Sequence, residues 1–129
     1  MSLYTHPAAD EFAPYYGKYI DRVGADTLEA LVTQAAETAK LLAATSEAQA
    51  AHRYAEGKWS VKQVVGHLTD TERVFTYRAM RVSRGDQTPL PGFDENAFMV
   101  VANFDERTLA DLAAEFAADR KSTRLNSSH

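Results

Sequence analysis

The sequence predicts an all-α fold. Alanine, the strongest helix former, supplies 22 of the 129 residues, whereas the β-branched residue isoleucine occurs once. Glycines and prolines are confined to a few places and leave long uninterrupted segments between them, which we expect to be helices. With 45% hydrophobic and 25% charged residues, the chain has the size and balance of one globular domain.

Charge and composition exclude several classes of protein. The chain has no cysteine, so it is neither a disulfide scaffold nor a zinc ribbon, and it has no cysteine nucleophile. No apolar run approaches the roughly eighteen residues of a membrane helix, and residues 1–13 lack the layout of a signal peptide, so we expect no membrane association and a cytoplasmic location. The net charge of −4 and the pI of 5.5 disfavour binding to nucleic acid through bulk charge.

The first long helix is predicted from Thr27 to about Ala44. Asp26 can cap it, and Glu29 three residues on completes a capping box. Ser46 is expected to open a short extra turn. Apolar residues recur three and four positions apart through the long segment, at Leu28, Leu31, Val32, Ala35, Ala36, Ala39, Leu42 and Ala43.

The second long helix is predicted to begin after Ser60. Ser60 and Gln63 form another capping box, and Trp59 is placed to pack back onto the first turn. Nothing interrupts the helix before Gly85, so it should run to about Arg84. The predicted core side consists of Val61, Val64, Val65, Leu68, Phe75, Ala79 and Val82. The predicted solvent side carries Lys62, Asp70, Arg73, Arg78, Arg81 and Arg84.

The segment after this helix is predicted to be a loop, because two prolines and two glycines fall within residues 85–93. Asp94 can then cap a short helix, and Thr108 or Asp105 can start the last one. The apolar side of the last helix is predicted to be Leu109, Leu112, Ala113, Phe116 and Ala117. This pattern ends at residues 119–121.

One histidine stands out as a candidate for chemistry. The four histidines are His6, His52, His67 and His129. His67 lies within a strongly predicted helix, at the border of its apolar side, and is either a core-edge residue bonded to a neighbouring helix or a metal ligand or general base. Asp70, one turn on, could orient the imidazole or pair with Arg73 at the surface. Gly66 costs a helix about 1 kcal/mol relative to alanine, which indicates a close helix crossing or room for a ligand.

Two further clusters have a structural and a functional interpretation. A basic strip on the second long helix, either a solvated face or a contact for an anionic partner, consists of Arg73, Arg78, Arg81 and Arg84. An aromatic segment near the start, expected to pack over the open end of a small bundle, consists of Phe12, Tyr15, Tyr16 and Tyr19. No phosphate loop, dinucleotide fingerprint or serine nucleophile elbow is present.

Three pieces of the sequence carry a family resemblance. The first comprises Tyr54, Gly57, Lys58, Trp59 and Ser60. The second comprises Gly66, His67, Leu68, Asp70, Thr71, Glu72 and Arg73. The third comprises Arg84, Gly85, Asp86, Pro89, Leu90, Pro91, Gly92, Phe93 and Asp94. In these pieces the chain resembles the DinB/YfiT-like family of small bacterial metal-binding bundles, and a looser likeness extends from residue 14 to residue 120.

The resemblance implies an up-down four-helix bundle that holds one divalent ion, typically zinc or nickel, between three histidines. His67 matches one of them, with Asp70 as a partner behind it, and the other two form a His-x-x-x-His pair on a fourth helix that is absent here. The family that the chain resembles includes thiol-dependent transferases and isomerases. The resemblance therefore implies a metal-dependent enzyme of the thiol-transferase or hydrolase type, whose partners are a small thiol and an electrophilic small molecule.

The sequence departs from the family pattern after Arg120. Residues 121–129 resemble a translated adapter or vector remnant, so we expect an incomplete DinB-like domain over 14–120, a non-native tail over 121–129, and no role for His129 as a ligand. The chain should then hold the first three helices of a four-helix bundle and leave an apolar groove exposed. We expect such a chain to be marginally stable, aggregation-prone or oligomeric, with a homodimer as one form.

Three functional hypotheses follow. In an intact protein the chain would belong to a metal-dependent enzyme, whereas this fragment, with one ligand, is expected to be inactive and to bind no metal. The rival is a non-catalytic interaction module whose groove docks a partner helix. A third hypothesis, nucleic-acid binding through the basic strip, predicts a steep dependence on salt and is disfavoured by the acidic balance.

Overall fold

Helices make up the regular structure of this chain. The computed structural model describes residues 5–24 and 26–127, and within them it shows no β-strand, so the predicted all-α class is confirmed. The helices are α1 Gly17–Ile20, α2 Thr27–Ala43, α3 Glu47–Ala50, α4 Val61–Ser83, α5 Glu95–Ala102 and α6 Leu109–Ser127, with short 3₁₀ segments at Pro14–Tyr16 and Phe104–Glu106. None of the described helices has the combination of length and hydropathy that crossing a bilayer requires.

The helix starts lie where the capping residues predicted them. Asp26 accepts a hydrogen bond from the backbone N–H of Glu29 at 3.0 Å at the start of α2, but the return contact of the predicted capping box is not among the hydrogen bonds of the described residues. Ser46 and Ser60 both form complete capping boxes. Asp94 caps α5, and the Thr108 hydroxyl accepts from the backbone of α6, so Thr108 rather than Asp105 starts the last helix. These local signals work because a capping side chain accepts from a free backbone N–H group only two or three residues further on.

Helix α6 is the centre of the arrangement. It packs against both α2 and α4, whereas α2 and α4 make few contacts with each other. The predicted apolar side of α6 is largely confirmed, since Leu109, Leu112 and Phe116 are buried, although Ala117 is exposed. The core gathered around this helix comprises Leu42, Ala50, Val65, Met99, Phe104, Leu109 and Leu112.

The buried side of α4 differs from the predicted one. Most of the predicted core side is open to solvent, at Val64, Leu68, Phe75 and Val82. The side that faces the core keeps the predicted Val65 but otherwise contains Lys62, Gly66 and Thr69. Lys62, predicted to be solvated, is accommodated because its ammonium lies 2.7 Å from the carboxylate of Glu47. Periodicity identified the apolar residues correctly, but the position of α6 decides which of them are covered.

Helix α6 extends beyond the point where its apolar pattern ends. The pattern stops at residues 119–121, yet the helix runs to Ser127. Thr123 donates to the carbonyl of Asp119 at 3.1 Å, and its hydroxyl lies 3.0 Å from that of Thr76 on α4. A helix needs its own backbone hydrogen bonds but no apolar side to continue, so pattern alone underestimated its length. The proposed division into a domain over 14–120 and a non-native tail stays a prediction.

The aromatic segment near the start packs on itself. Tyr15, Tyr16 and Tyr19 are each more than half exposed. Their rings lie 5.2 Å (Tyr15 to Tyr16) and 5.9 Å (Tyr15 to Tyr19) apart, and the Lys18 ammonium lies 4.2 Å from the centre of the Tyr15 ring. The prediction that this segment covers the end of the bundle is therefore wrong, because these rings gain their contacts from each other and from a cation above them.

Candidate functional site

His67 occupies the second turn of α4 and is half-buried. Its ring lies against that of Trp59, with 4.9 Å between centroids and 55° between the planes. Its Nε2 atom lies 3.4 Å from the hydroxyl of Thr71, one helical turn further on. The imidazole is thus held between an indole and a hydroxyl beside the core, which fixes its orientation.

The backbone on both sides of Trp59 is anchored by a polar network. The guanidinium of Arg53 donates to the carbonyl of Lys58 at 2.8 Å and to the carboxylate of Asp105 at 2.5 Å. The Ser60 hydroxyl donates to the other oxygen of the same carboxylate. Asp105, which was an alternative cap for α6, instead joins the second 3₁₀ segment to the start of α4. The network therefore holds the indole in place over His67.

Asp70 lies among charged groups at the boundary of α4 and α6. Burial raises the pKa of its carboxyl, while the positive charge of Arg73 acts in the opposite direction. Arg73 itself forms ion pairs with Glu115 at 3.0 Å and Asp119 at 2.8 Å, both on α6. The expected surface pair between Asp70 and Arg73 is not among the ion pairs of the described residues. The orienting role of Asp70 behind His67 stays a prediction.

The residues that the structure describes do not form a complete metal site. They contain no group of three or more histidine, aspartate or glutamate side chains that could hold an ion. His6 is exposed and lies 3.2 Å from the carbonyl of Gly24, His52 is exposed at the end of a groove, and His129 lies outside the described residues. A catalytic zinc site needs about three protein ligands. The role of His67 as a metal ligand stays a prediction.

The arginines of the basic strip are mostly engaged within the protein. Arg73 forms the ion pairs with α6 that are described above. Arg81 donates to the carboxylate of Asp86 at 2.7 Å, which lowers the pKa of that carboxyl, and Arg78 donates to the carbonyl of Pro91 at 2.9 Å. Arg84 bonds to the neighbouring serine hydroxyl. The strip thus folds the 85–93 loop back onto α4 and is not a continuous free basic surface.

An open apolar groove runs between α2 and α4. It consists of two hollows of about 730 and 310 Å³, and Thr38 and Leu68 line both of them. Trp59 lines the larger hollow, so the groove lies next to the ring of His67. We call this surface the α2/α4 groove. Its volume is in the range of pockets that hold small molecules, but it is open along its length.

Two contacts of the site were missed by sequence reasoning. Thr71 lies four residues after His67, and residues at this spacing share a helix face, so its contact with the ring could have been found from spacing alone. Asp105 is 45 residues from Ser60, and no local pattern connects them. Their contact arises when the second 3₁₀ segment packs against α4.

Comparison with known protein families identifies a match. A family model described as the DinB superfamily matches residues 30–125, which include most of α2, all of α4 and therefore His67. No curated protein and no solved structure matches the chain.

Proposed function

The chain belongs to the DinB superfamily, and on that premise we propose that it is the His67-bearing part of a metal-dependent enzyme of the thiol-transferase or hydrolase type. The observation that carries the proposal is the setting of His67, whose half-buried ring is held by Trp59 and Thr71 beside the α2/α4 groove. An imidazole with a fixed orientation loses little freedom when it binds an ion, which favours a ligand role.

We propose that the described residues do not hold a divalent ion by themselves, because no group of three or more histidine, aspartate or glutamate side chains that could bind one comes together among them. The proposal therefore assigns the remaining ligands to residues outside them, with zinc or nickel as the ion and a small thiol and an electrophile as reactants. Asp70 is proposed as the carboxylate that supports this ligand set. On its own, the chain is expected to be inactive and to retain no stoichiometric metal.

The proposal can be tested by supplying the missing ligands in trans. A synthetic amphipathic helical peptide with two histidines four residues apart would be labelled and its binding followed by fluorescence anisotropy, with and without Zn²⁺. We expect Zn²⁺ to tighten binding at least about tenfold, because His67 and the peptide then share one ion. His67→Ala should abolish this effect, whereas the control His6→Ala, at an exposed histidine that lines neither hollow, should keep it.

The same experiment separates the second candidate function, a non-catalytic interaction module. The observation that favours it is the α2/α4 groove, which is open and lined largely by apolar side chains. Binding of the peptide that is equally tight with and without Zn²⁺, and in His67→Ala, would support the module and contradict the metal proposal. A Zn²⁺ effect that survives in His67→Ala would also contradict it.

A further inference from the structure

Helix α5 is apolar around its whole circumference, although one side of it is buried and the other is not. Residues 97–102 form an unbroken apolar run, in which Met99 points into the core. Ala97 and Val101, two residues before and after Met99, lie on nearly the opposite side of the helix. Val100 and Val101 are 79% and 76% exposed. A helix that is apolar all round is typical of one that is covered on all sides.

The exposed side of α5 is separate from the α2/α4 groove. We call the surface formed by Ala97, Val100 and Val101 the α5 outer face. These three residues line neither hollow of the groove, whereas Asn96 at the start of the helix lines the larger one. A fourth helix placed in the groove, as the family resemblance implies, would therefore meet α5 at Asn96 and leave the α5 outer face uncovered.

The segment that carries this face is acidic. Residues 85–106 contain five acidic residues and neither lysine nor arginine. Glu95, the first residue of α5, and Glu106, in the second 3₁₀ segment, are both exposed, and neither belongs to an ion pair of the described residues. Arg107, the next residue along the chain, is already paired with two carboxylates of α6. Unpaired negative charge therefore precedes and follows the apolar run.

We propose that the α5 outer face binds a basic amphipathic helix of another protein. Apolar side chains of that helix would cover Val100 and Val101, and its lysines or arginines would meet Glu95 and Glu106. Burial of apolar surface supplies most of the binding energy, and the charges select the sign of the partner. Because α5 has eight residues, the interface is small and the complex is transient and sensitive to salt. The inference involves no metal and is independent of the function proposed for His67.

The same features argue against other occupants. A second copy of the chain would bring the same carboxylates of this segment close to each other, which is repulsive. A nucleic acid or an anionic membrane would be repelled for the same reason. A small molecule is usually held in a concave pocket, whereas the outer side of a helix is convex. A basic protein segment satisfies both the apolar surface and the charge.

The proposal is tested with a pair of synthetic peptides and the full chain. One peptide is an amphipathic helix with leucines on one side and lysines beside them, and its counterpart has glutamates in place of the lysines. Fluorescence anisotropy follows the binding of each labelled peptide at low and at physiological salt. We expect the lysine peptide to bind at least about tenfold more tightly, with a difference that shrinks as the salt concentration rises. Equally tight binding of both peptides would overturn the proposal.

Variants of apolar residues locate the binding site. The double variant Val100→Ser and Val101→Ser should weaken binding of the lysine peptide at least about tenfold, because it removes the apolar contact. Leu68→Ser, at an exposed apolar residue of the α2/α4 groove, is the matched control and should leave binding unchanged. Circular dichroism checks that the variants are folded. Binding that survives the two valine substitutions, or that is lost in Leu68→Ser, would overturn the proposal.

Variants of acidic residues separate the local charge from the net charge of the chain. The double variant Glu95→Gln and Glu106→Gln should weaken binding of the lysine peptide about three- to tenfold. The double variant Glu29→Gln and Glu37→Gln removes the same net charge from exposed positions of α2 and should change binding less than about twofold. If both double variants weaken binding equally, the peptide is attracted by the net charge alone, and the proposed site is wrong.

Discussion

At the scale of single residues, Asp70 is the clearest case of a charge whose burial lowers the stability of the fold. Its carboxyl is partly buried near Glu115 and Asp119, and burial is the main reason why its pKa is raised. Arg73, the cation that could compensate, is shared with the two carboxylates of α6. Asp70 therefore binds a proton more tightly in the folded chain than in the unfolded one.

We expect Asp70→Asn to stabilise the chain near neutral pH. Because the folded pKa is above the unfolded value, the ionised carboxyl costs stability once the pH has risen through both values, and the cost disappears when the group is protonated at low pH. The gain should be less than about 1 kcal/mol at neutral pH and should shrink towards pH 4, as measured by urea denaturation. Asp111→Asn, which loses an ion pair with Arg107, is the control and should give no gain. A less stable Asp70→Asn would contradict the argument.

At the scale of elements, Gly66 explains how closely α4 and the second 3₁₀ segment approach. A Cβ atom built at Gly66 would lie 2.5 Å from carbons of the Phe104 ring, well inside any real contact. Phe104 is itself buried in the core. Of the two interpretations of this glycine, the structure supports close packing, with the aromatic ring of a 3₁₀ segment in place of the expected helix.

Gly66→Ala should therefore destabilise the chain even though alanine is the better helix former. Overpacking against the Phe104 ring should lower the free energy of unfolding by about 1–3 kcal/mol. The higher helix propensity of alanine offsets about 1 kcal/mol of this loss. The free energy of unfolding from chemical denaturation should fall, and adding Phe104→Leu should recover part of the loss. Gly92→Ala, where a Cβ meets nothing within 4 Å, should change stability by less than about 0.5 kcal/mol. An unchanged or more stable Gly66→Ala would show that the packing is looser than described.

What sequence could predict in this chain follows from the range of each interaction. Caps such as Ser60 with Gln63 act over three residues, so the helix starts were predicted correctly. The orientation of α4 depends on contacts with Glu47 and α6, which are distant in sequence, so Lys62 was assigned to the wrong side. His67 was predicted as a candidate site residue from its position in a helix and from the family resemblance. Its contact with Trp59 and the network through Asp105 arise from tertiary packing, which no local pattern predicts.

At the scale of the whole molecule, one ion pair connects the three long helices. Arg120 on α6 donates two hydrogen bonds to the carboxylate of Glu72 on α4, and a third to the carbonyl of Leu31 on α2 at 3.2 Å. Both side chains of the pair are 13% exposed. The pair therefore holds α2 and α4 at a defined separation on either side of α6.

Removing one partner of this pair should be costly. Arg120→Met leaves the Glu72 carboxylate buried without its cation, which we expect to lower the free energy of unfolding by about 3 kcal/mol. Adding Glu72→Leu should regain most of this loss, so the double-mutant cycle in chemical denaturation is strongly non-additive. The exposed-pair variant Asp111→Asn should cost less than about 0.5 kcal/mol. A loss for Arg120→Met as small as the loss for Asp111→Asn would show that the pair between Arg120 and Glu72 is effectively solvated.

The central place of α6 has a consequence for how the chain folds as it is synthesised. Helices α2 and α4 leave the ribosome first, but they have little to pack on until Leu109, Leu112 and Phe116 follow. Their apolar sides therefore stay uncovered while most of the chain is being translated. We therefore expect the core to form late in synthesis. The exposed apolar side chains of α2 and α4 should be bound by chaperones mainly before Phe116 has emerged.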